Sequence, residues 1–132
     1  MLINLIMEFK TDTKERFHVI TLPGPSLSAT MTEELLSSLL TYLQNDVKNI
    51  VLTLKDIENI DNAAAETLLQ IQQKFYDNKA SFVICELQKT VEKFFDEIEL
   101  LDVLNVAPTI SEAADIVQME EMEREMFDEE GN

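Results

Sequence analysis

Apolar positions along this chain alternate between two rhythms. The runs Phe17-His18-Val19-Ile20-Thr21-Leu22, Ile50-Val51-Leu52-Thr53-Leu54 and Phe82-Val83-Ile84-Cys85 are short and rich in β-branched or aromatic residues, as strands are. Between them, apolar residues recur at helical spacing. Leu35, Leu36, Leu39, Leu40 and Leu43 predict an amphipathic helix over 31–45. Ala64, Leu68, Ile71 and Phe75 predict another over about 63–77. Val91, Phe94 and Phe95 predict a third over about 89–96, with Ile98 and Leu101 continuing its apolar surface. Ala113, Ile116 and Val117 begin a last helix that extends toward Met122.

Punctuation sharpens these boundaries. The polar stretch Asp12-Thr13-Lys14-Glu15-Arg16 predicts a turn between strands at 5–11 and 17–22, and Pro23-Gly24-Pro25 ends the second of them. Thr30-Met31-Thr32-Glu33 and Thr109-Ile110-Ser111-Glu112 both have capping-box spacing, in which a threonine hydroxyl accepts from the amide three residues on. Asn62 is the predicted cap of the helix at 63–77, with Glu66 in its first turn, where the helix dipole favours an anion. Asp77-Asn78-Lys79 turns into the strand at 81–86, and a short strand is expected near Leu104-Asn105-Val106. The order β-β-α-β-α-β-α-β-α predicts an α/β fold. Its sheet is four- to five-stranded, mixed but mostly parallel, packed with about four helices. The run Ile50–Leu54 is apolar at nearly every position, as in a strand covered on both faces.

Length and charge narrow the reading. At 132 residues the chain is expected to form one domain with one real core. Ten basic residues face 26 acidic ones, a net charge of −16. That balance repels nucleic acid and anionic membrane surfaces. Much of the excess lies at residues 119–132, where seven acids meet Arg124 alone. The segment reads as an acidic C-terminal tail beyond a domain at 1–118, either a helix extension or disordered. A solvated tail is the expectation, with contact to a partner as the alternative. Met119, Met122 and Met126 recur near helical spacing within it; ordinary packing is expected, an adaptable contact strip being the other reading. Met1-Leu2-Ile3-Asn4-Leu5-Ile6-Met7 is apolar but lacks the basic leader and cleavage site of a signal peptide. No stretch approaches the ~20 apolar residues of a membrane helix. The lone Cys85 cannot form an internal disulfide, which fits a reducing, cytoplasmic setting and a buried thiol.

Candidate chemistry is sparse. His18 is the sole histidine, so neither a histidine dyad nor a zinc cluster can be assembled around it. It reads as a histidine on the sheet surface or partly buried. No glycine-rich phosphate loop occurs, and the acidic pairs Asp96-Glu97 and Glu120-Glu121 sit among like charges. These features predict a protein without catalytic residues, metal or cofactor.

Three segments carry a family likeness: Leu22-Pro23-Gly24-Pro25-Ser26-Leu27-Ser28, Asn49 through Asp61, and Pro108-Thr109 with Glu112-Ala113. The first is similar to an L-x-G-x-[LI]-D segment, with one extra residue and Ser28 where an aspartate is common. The second is close to a strand followed by an I-D-S-S/T-G turn. Together, over about residues 7–118, they resemble the STAS domain, the fold of bacterial anti-sigma factor antagonists. In that family the turn carries a serine or threonine that a kinase-type anti-sigma factor phosphorylates, and the unmodified form binds the kinase and frees the sigma factor. Laid on this chain, the family's aspartate is Asp61, the next residue Asn62, the acceptor Ala63 and the glycine Ala64. Ala63 has no hydroxyl, and Thr67, one helical turn on, is the nearest one.

The resemblance therefore implies a binding module that is not phosphorylated at this turn. Its partner-binding residues would be Gly24, Ser26, Ser28, Asp61, Asn62, Ala63, Ala64 and Thr67. The partner would be an anti-sigma factor with serine-kinase fold, and a homodimer stays open. The residues also allow a plainer reading, in which Asp61 and Asn62 cap a helix and Ala63-Ala64-Ala65 is its favourable first turn. The alternative functional reading is an accessory STAS subunit of a larger assembly, such as a lipid-transport ABC system or a stress-signalling scaffold.

Overall fold

The computed structural model describes residues 9–131. The predicted elements occur in the predicted order, with two further short strands, at Ser26–Leu27 and Asn59–Ile60, that the sequence did not predict. In chain order the elements are β1 (Lys10–Thr13), β2 (Phe17–Thr21), β3 (Ser26–Leu27), α1 (Ala29–Leu40), β4 (Asn49–Thr53), β5 (Asn59–Ile60), α2 (Asn62–Asp77), β6 (Phe82–Cys85), α3 (Lys89–Glu97), β7 (Val106–Ala107) and α4 (Ile110–Gly131). The part of the first predicted strand at 5–8 lies outside the described residues. The helix expected over 31–45 starts earlier and tightens into a 3-10 turn at Thr41–Gln44. The predicted strand at 104–106 moves to Val106–Ala107.

Five strands form one sheet in the order β1-β2-β4-β6-β7. The hairpin β1–β2 is antiparallel, and every other pairing in the sheet is parallel. Strand alternation divides the core in two. Ile20, Ile50, Leu52, Phe82 and Ile84 face α1, α2 and α3, and meet Leu35, Leu39, Leu68, Ile71, Phe75, Val91 and Phe95. Val19, Val51, Val83, Cys85 and Ala107 face the other way, under Ala113 and Val117 of α4. The bulkier residues lie under three helices and the smaller ones under one, so each face is filled by what covers it. All of β4 is buried, as its nearly continuous apolar run predicted. Burying each of these aliphatic or aromatic side chains contributes roughly 1.5–3 kcal/mol.

Cys85 is fully buried, and burial first, then the charge of Glu86, pushes its thiol up to about 12. His18 is also buried. Its Nδ1 pairs with the Thr13 hydroxyl and its Nε2 with the Val47 carbonyl oxygen, both at 2.9 Å, and its ring meets Tyr42 edge-on. Both ring nitrogens are thus engaged structurally.

Two sequence expectations fail on α4. The acidic segment is not merely solvated, because its first residues dock on the edge of the sheet where β4, β6 and β7 begin. The Glu120 carboxylate accepts from the Tyr76 hydroxyl, the Ser81 hydroxyl and the Asn105 amide. Glu121 accepts from Asn49 Nδ2 at 2.7 Å and pairs with Arg16 at 2.9 Å. Arg124 donates to Ser81 Oγ at 3.2 Å. Asn49, 4% exposed, also donates to the Arg16 carbonyl and accepts the Ser81 N–H, so its amide is satisfied at both ends. The second correction concerns the methionines. The polar network fixes the azimuth of α4, and Met119, Met122 and Met126 face solvent at 55%, 55% and 59% exposure instead of packing. Spacing alone gave their common face but not its direction.

Candidate functional site

At the carboxyl ends of the parallel strands, two loops meet and bring the predicted site residues together. The segment after β2 crosses the segment after β4 at a separation that leaves no room for a side chain. A Cβ on Gly24 would lie 1.6 Å from the Asp56 carbonyl oxygen. Glycine is required there by close backbone approach rather than by a special φ. Beyond the crossing, the Pro25 carbonyl accepts the N–H groups of Glu58 (2.7 Å) and Asn59 (3.1 Å). Ser26 and Leu27 then pair in parallel with Asn59 and Ile60, forming a two-stranded ribbon. Alternation in the ribbon sends Leu27 and Ile60 into the core and leaves Ser26 and Asn59 exposed, with Asn59 Nδ2 3.4 Å from Ser26 Oγ.

The ribbon delivers two helix starts to one place. Ser28, not Thr30, caps α1: its hydroxyl accepts the Met31 N–H at 3.3 Å, and Thr30 falls inside the helix. Asp61, not Asn62, caps α2: Oδ1 accepts the Ala64 N–H at 2.7 Å. Its other oxygen accepts the Ala29 N–H at 3.3 Å, so one carboxylate serves the N-termini of both helices. Asn62 becomes the first residue of α2, and Glu66 therefore lies beyond its first turn. At the second predicted box Thr109 does cap the helix, its Oγ1 accepting the Glu112 N–H at 3.1 Å. From the far side, Thr90 donates to the Glu58 carbonyl and Gln88 to the Lys55 carbonyl, which ties the 55–58 loop to the start of α3.

The surface so built is small, shallow and polar. Asp61, Asn62 and Ala63 are exposed, Ser28 and Thr67 half-buried. One depression is lined by Ser26, Ser28, Asn59 and Asp61 over the floor of Leu27 and Ile60, and a second by Glu58, Asn59, Thr90 and Phe94. Ala63 presents its methyl group outward from the second residue of α2. Ala64 and Ala65 do not join it: both side chains are fully buried against the core, and Ala64 offers the site only a backbone N–H already held by Asp61. Of the three consecutive alanines only Ala63 is thus presented at the surface, so Ala64, which the family resemblance put among the partner-binding residues, has no side chain there. The Thr67 hydroxyl is turned back onto the helix and donates to the Ala63 carbonyl at 3.0 Å.

Sequence reasoning missed the link from Asp61 to Ala29, the ribbon, and the parts played by Glu58 and Thr90. Ser26-Leu27 and Asn59-Ile60 do alternate polar with apolar, but two residues are too short a run to read as strands. Among the described residues, no group of three or more His, Cys, Asp or Glu side chains is placed to hold a metal ion. No helix among them is long and apolar enough to cross a membrane.

The STAS domain family model matches residues 8–113. The chain belongs to the STAS domain family. Solved STAS-fold structures align with it at low identity. A provisional anti-sigma factor antagonist from Thermotoga maritima is 20% identical at a TM-score of 0.73, covering 83% of this chain and 94% of that one. A STAS-domain anti-sigma factor antagonist from Planctomyces limnophilus is 17% identical at 0.70, covering 83% and 97%. The anti-sigma factor antagonist SpoIIAA in its unphosphorylated form is 21% identical at 0.67, covering 84% and 96%. The phosphorylated form from Bacillus aligns at 0.61 with 20% identity, covering 83% and 99%. At these identities the likeness is one of fold. No curated protein sequence matches the chain.

Proposed function

We infer that this STAS domain is a non-catalytic docking module of the anti-sigma factor antagonist kind, acting in the cytoplasm. Its partner is a kinase-fold anti-sigma factor, and sigma-factor release is the outcome of binding. The docking surface is the α2 start with the ribbon beside it: Gly24, Ser26, Ser28, Asp61, Asn62, Ala63 and the half-buried Thr67.

The observation that carries this reading is the exposed methyl of Ala63, at the position where the family presents its phosphate acceptor. SpoIIAA exists in both phosphorylated and unphosphorylated forms. Here the equivalent position offers no oxygen, so the surface stays in its unmodified form. Phosphate would bring about −2 of charge beside Asp61 and Glu66, where repulsion and desolvation oppose close docking. With the acceptor gone, abundance or competition sets the output.

Binding of the purified chain to the kinase-fold anti-sigma factors of its own genome, each measured singly by calorimetry with nucleotide present, tests the reading. One of them should bind, and Ala63→Glu should weaken that complex at least tenfold while leaving the melting temperature within a few degrees. Equal affinity of Ala63→Glu, or binding to none of these factors, would contradict it.

A further inference from the structure

We propose that the outward face of α4 is a second docking surface, built to receive a cationic amphipathic helix of a partner protein. Four of the five exposed large apolar side chains among the described residues are Met119, Met122, Met126 and Phe127, all on this one stretch. Met119, Met122 and Met126 fall within about 60° of one another around the helix and span ~10 Å along it. A surface helix ordinarily turns its apolar residues inward and its charges out. Here the second half of α4 is reversed, and the reason is on the inner side. Glu120, Glu121 and Arg124 are spent on Tyr76, Ser81, Asn105, Asn49 and Arg16. Turning the methionines inward would strand those groups and leave Asn49 unsatisfied, so the stripe is held outward by a polar lock.

Charge selects the occupant. The stripe is bordered by the exposed acids Asp115, Glu123 and Glu125, on a chain of net charge −16. An anionic membrane is repelled by that field, and a second copy would set the same acids against themselves. A helix with lysines or arginines flanking an apolar stripe satisfies both features. Methionine suits such a contact because its unbranched thioether repacks against varied shapes. The surface is also separate from the Ala63 site: this part of α4 docks where β4, β6 and β7 begin, and Ala63 lies at the carboxyl ends of the parallel strands.

The test uses the full chain and two synthetic helical peptides with one leucine stripe, flanked by lysine in one and by glutamate in the other. The lysine peptide should bind with a micromolar Kd by fluorescence anisotropy, and the glutamate peptide should not. The triple variant Met119→Gln, Met122→Gln, Met126→Gln should fold normally, since these side chains are exposed, and bind the lysine peptide at least tenfold more weakly. Val103→Gln, the exposed apolar residue elsewhere, should bind as wild type does. Four results would each overturn the proposal. These are no binding of the lysine peptide, equal binding by the triple variant (attraction by net charge alone), equal binding of the glutamate peptide, and self-association in ultracentrifugation that the triple variant abolishes.

Discussion

Asp61, the cap of α2, also accepts the backbone N–H of Ala29, the first residue of α1, at 3.3 Å. Two helix N-termini, each with unpaired N–H groups and a partial positive charge, converge on one carboxylate. The start of α2, which holds Ala63, is thereby fixed to the start of α1, and the surface is shaped before any partner arrives. Asp61→Ala should therefore lower stability by about 1–2 kcal/mol, the upper range for loss of a cap. Asp61→Asn keeps one acceptor oxygen and should lose less. Urea unfolding of the two variants checks the order, and amide exchange should show faster exchange at Ala29 as well as at Ala64 in Asp61→Ala.

The crossing at Gly24 makes a harsher prediction. Any Cβ there meets the Asp56 carbonyl oxygen, a backbone atom that cannot swing aside as a side chain could. Gly24→Ala should cost about 2–3 kcal/mol, in the range for inserting atoms into packed structure. It should also displace the ribbon, so that chemical shifts change at Ser26 and Asn59 more than in β6. A variant as stable as wild type would mean that the two loops do not cross as described.

Tyr76 supplies a pH test at the opposite end of the molecule. Its hydroxyl donates to Glu120, and burial first, then that carboxylate, pushes the phenol well above its ordinary range. A raised pKa means that the folded state holds the proton more tightly than the unfolded chain. The resulting stability is complete below the unfolded value of about 10 and is lost as pH rises above it. Tyr76→Phe should lower stability by about 1.5–3 kcal/mol at pH 8, as for loss of a hydrogen bond to a charged group. The gap between wild type and variant should then narrow above pH 10. Urea midpoints measured at pH 8, 10 and 11 decide this, and a gap independent of pH would remove Tyr76 from the account.

The fold was legible because its signals are long or repeated. β4 is apolar through its centre at Ile50, Val51 and Leu52, and α2 buries the predicted stripe of Ala64, Leu68, Ile71 and Phe75. The site was legible only in part. Position 63 could be read from residue order alone, but whether each of three consecutive alanines points in or out depends on where the helix begins. Moving the cap from Asn62 to Asp61 and packing α2 on the sheet put Ala64 and Ala65 inside. The direction of the methionine stripe was likewise beyond the sequence. It is set by partners 39 to 105 positions away along the chain, at Tyr76, Ser81, Arg16 and Asn49, and no local period encodes them.

The central claim is that a methyl group at position 63 keeps this surface in its unmodified form. Phosphotransfer measures it directly: wild type and Ala63→Ser are each incubated with the anti-sigma kinase that binds the chain and radiolabelled ATP, and the label is mapped to peptides. The account predicts no label on residues 58–67 of wild type and stoichiometric label at position 63 of Ala63→Ser. Label on residues 58–67 of wild type, at Thr67 for instance, would contradict it.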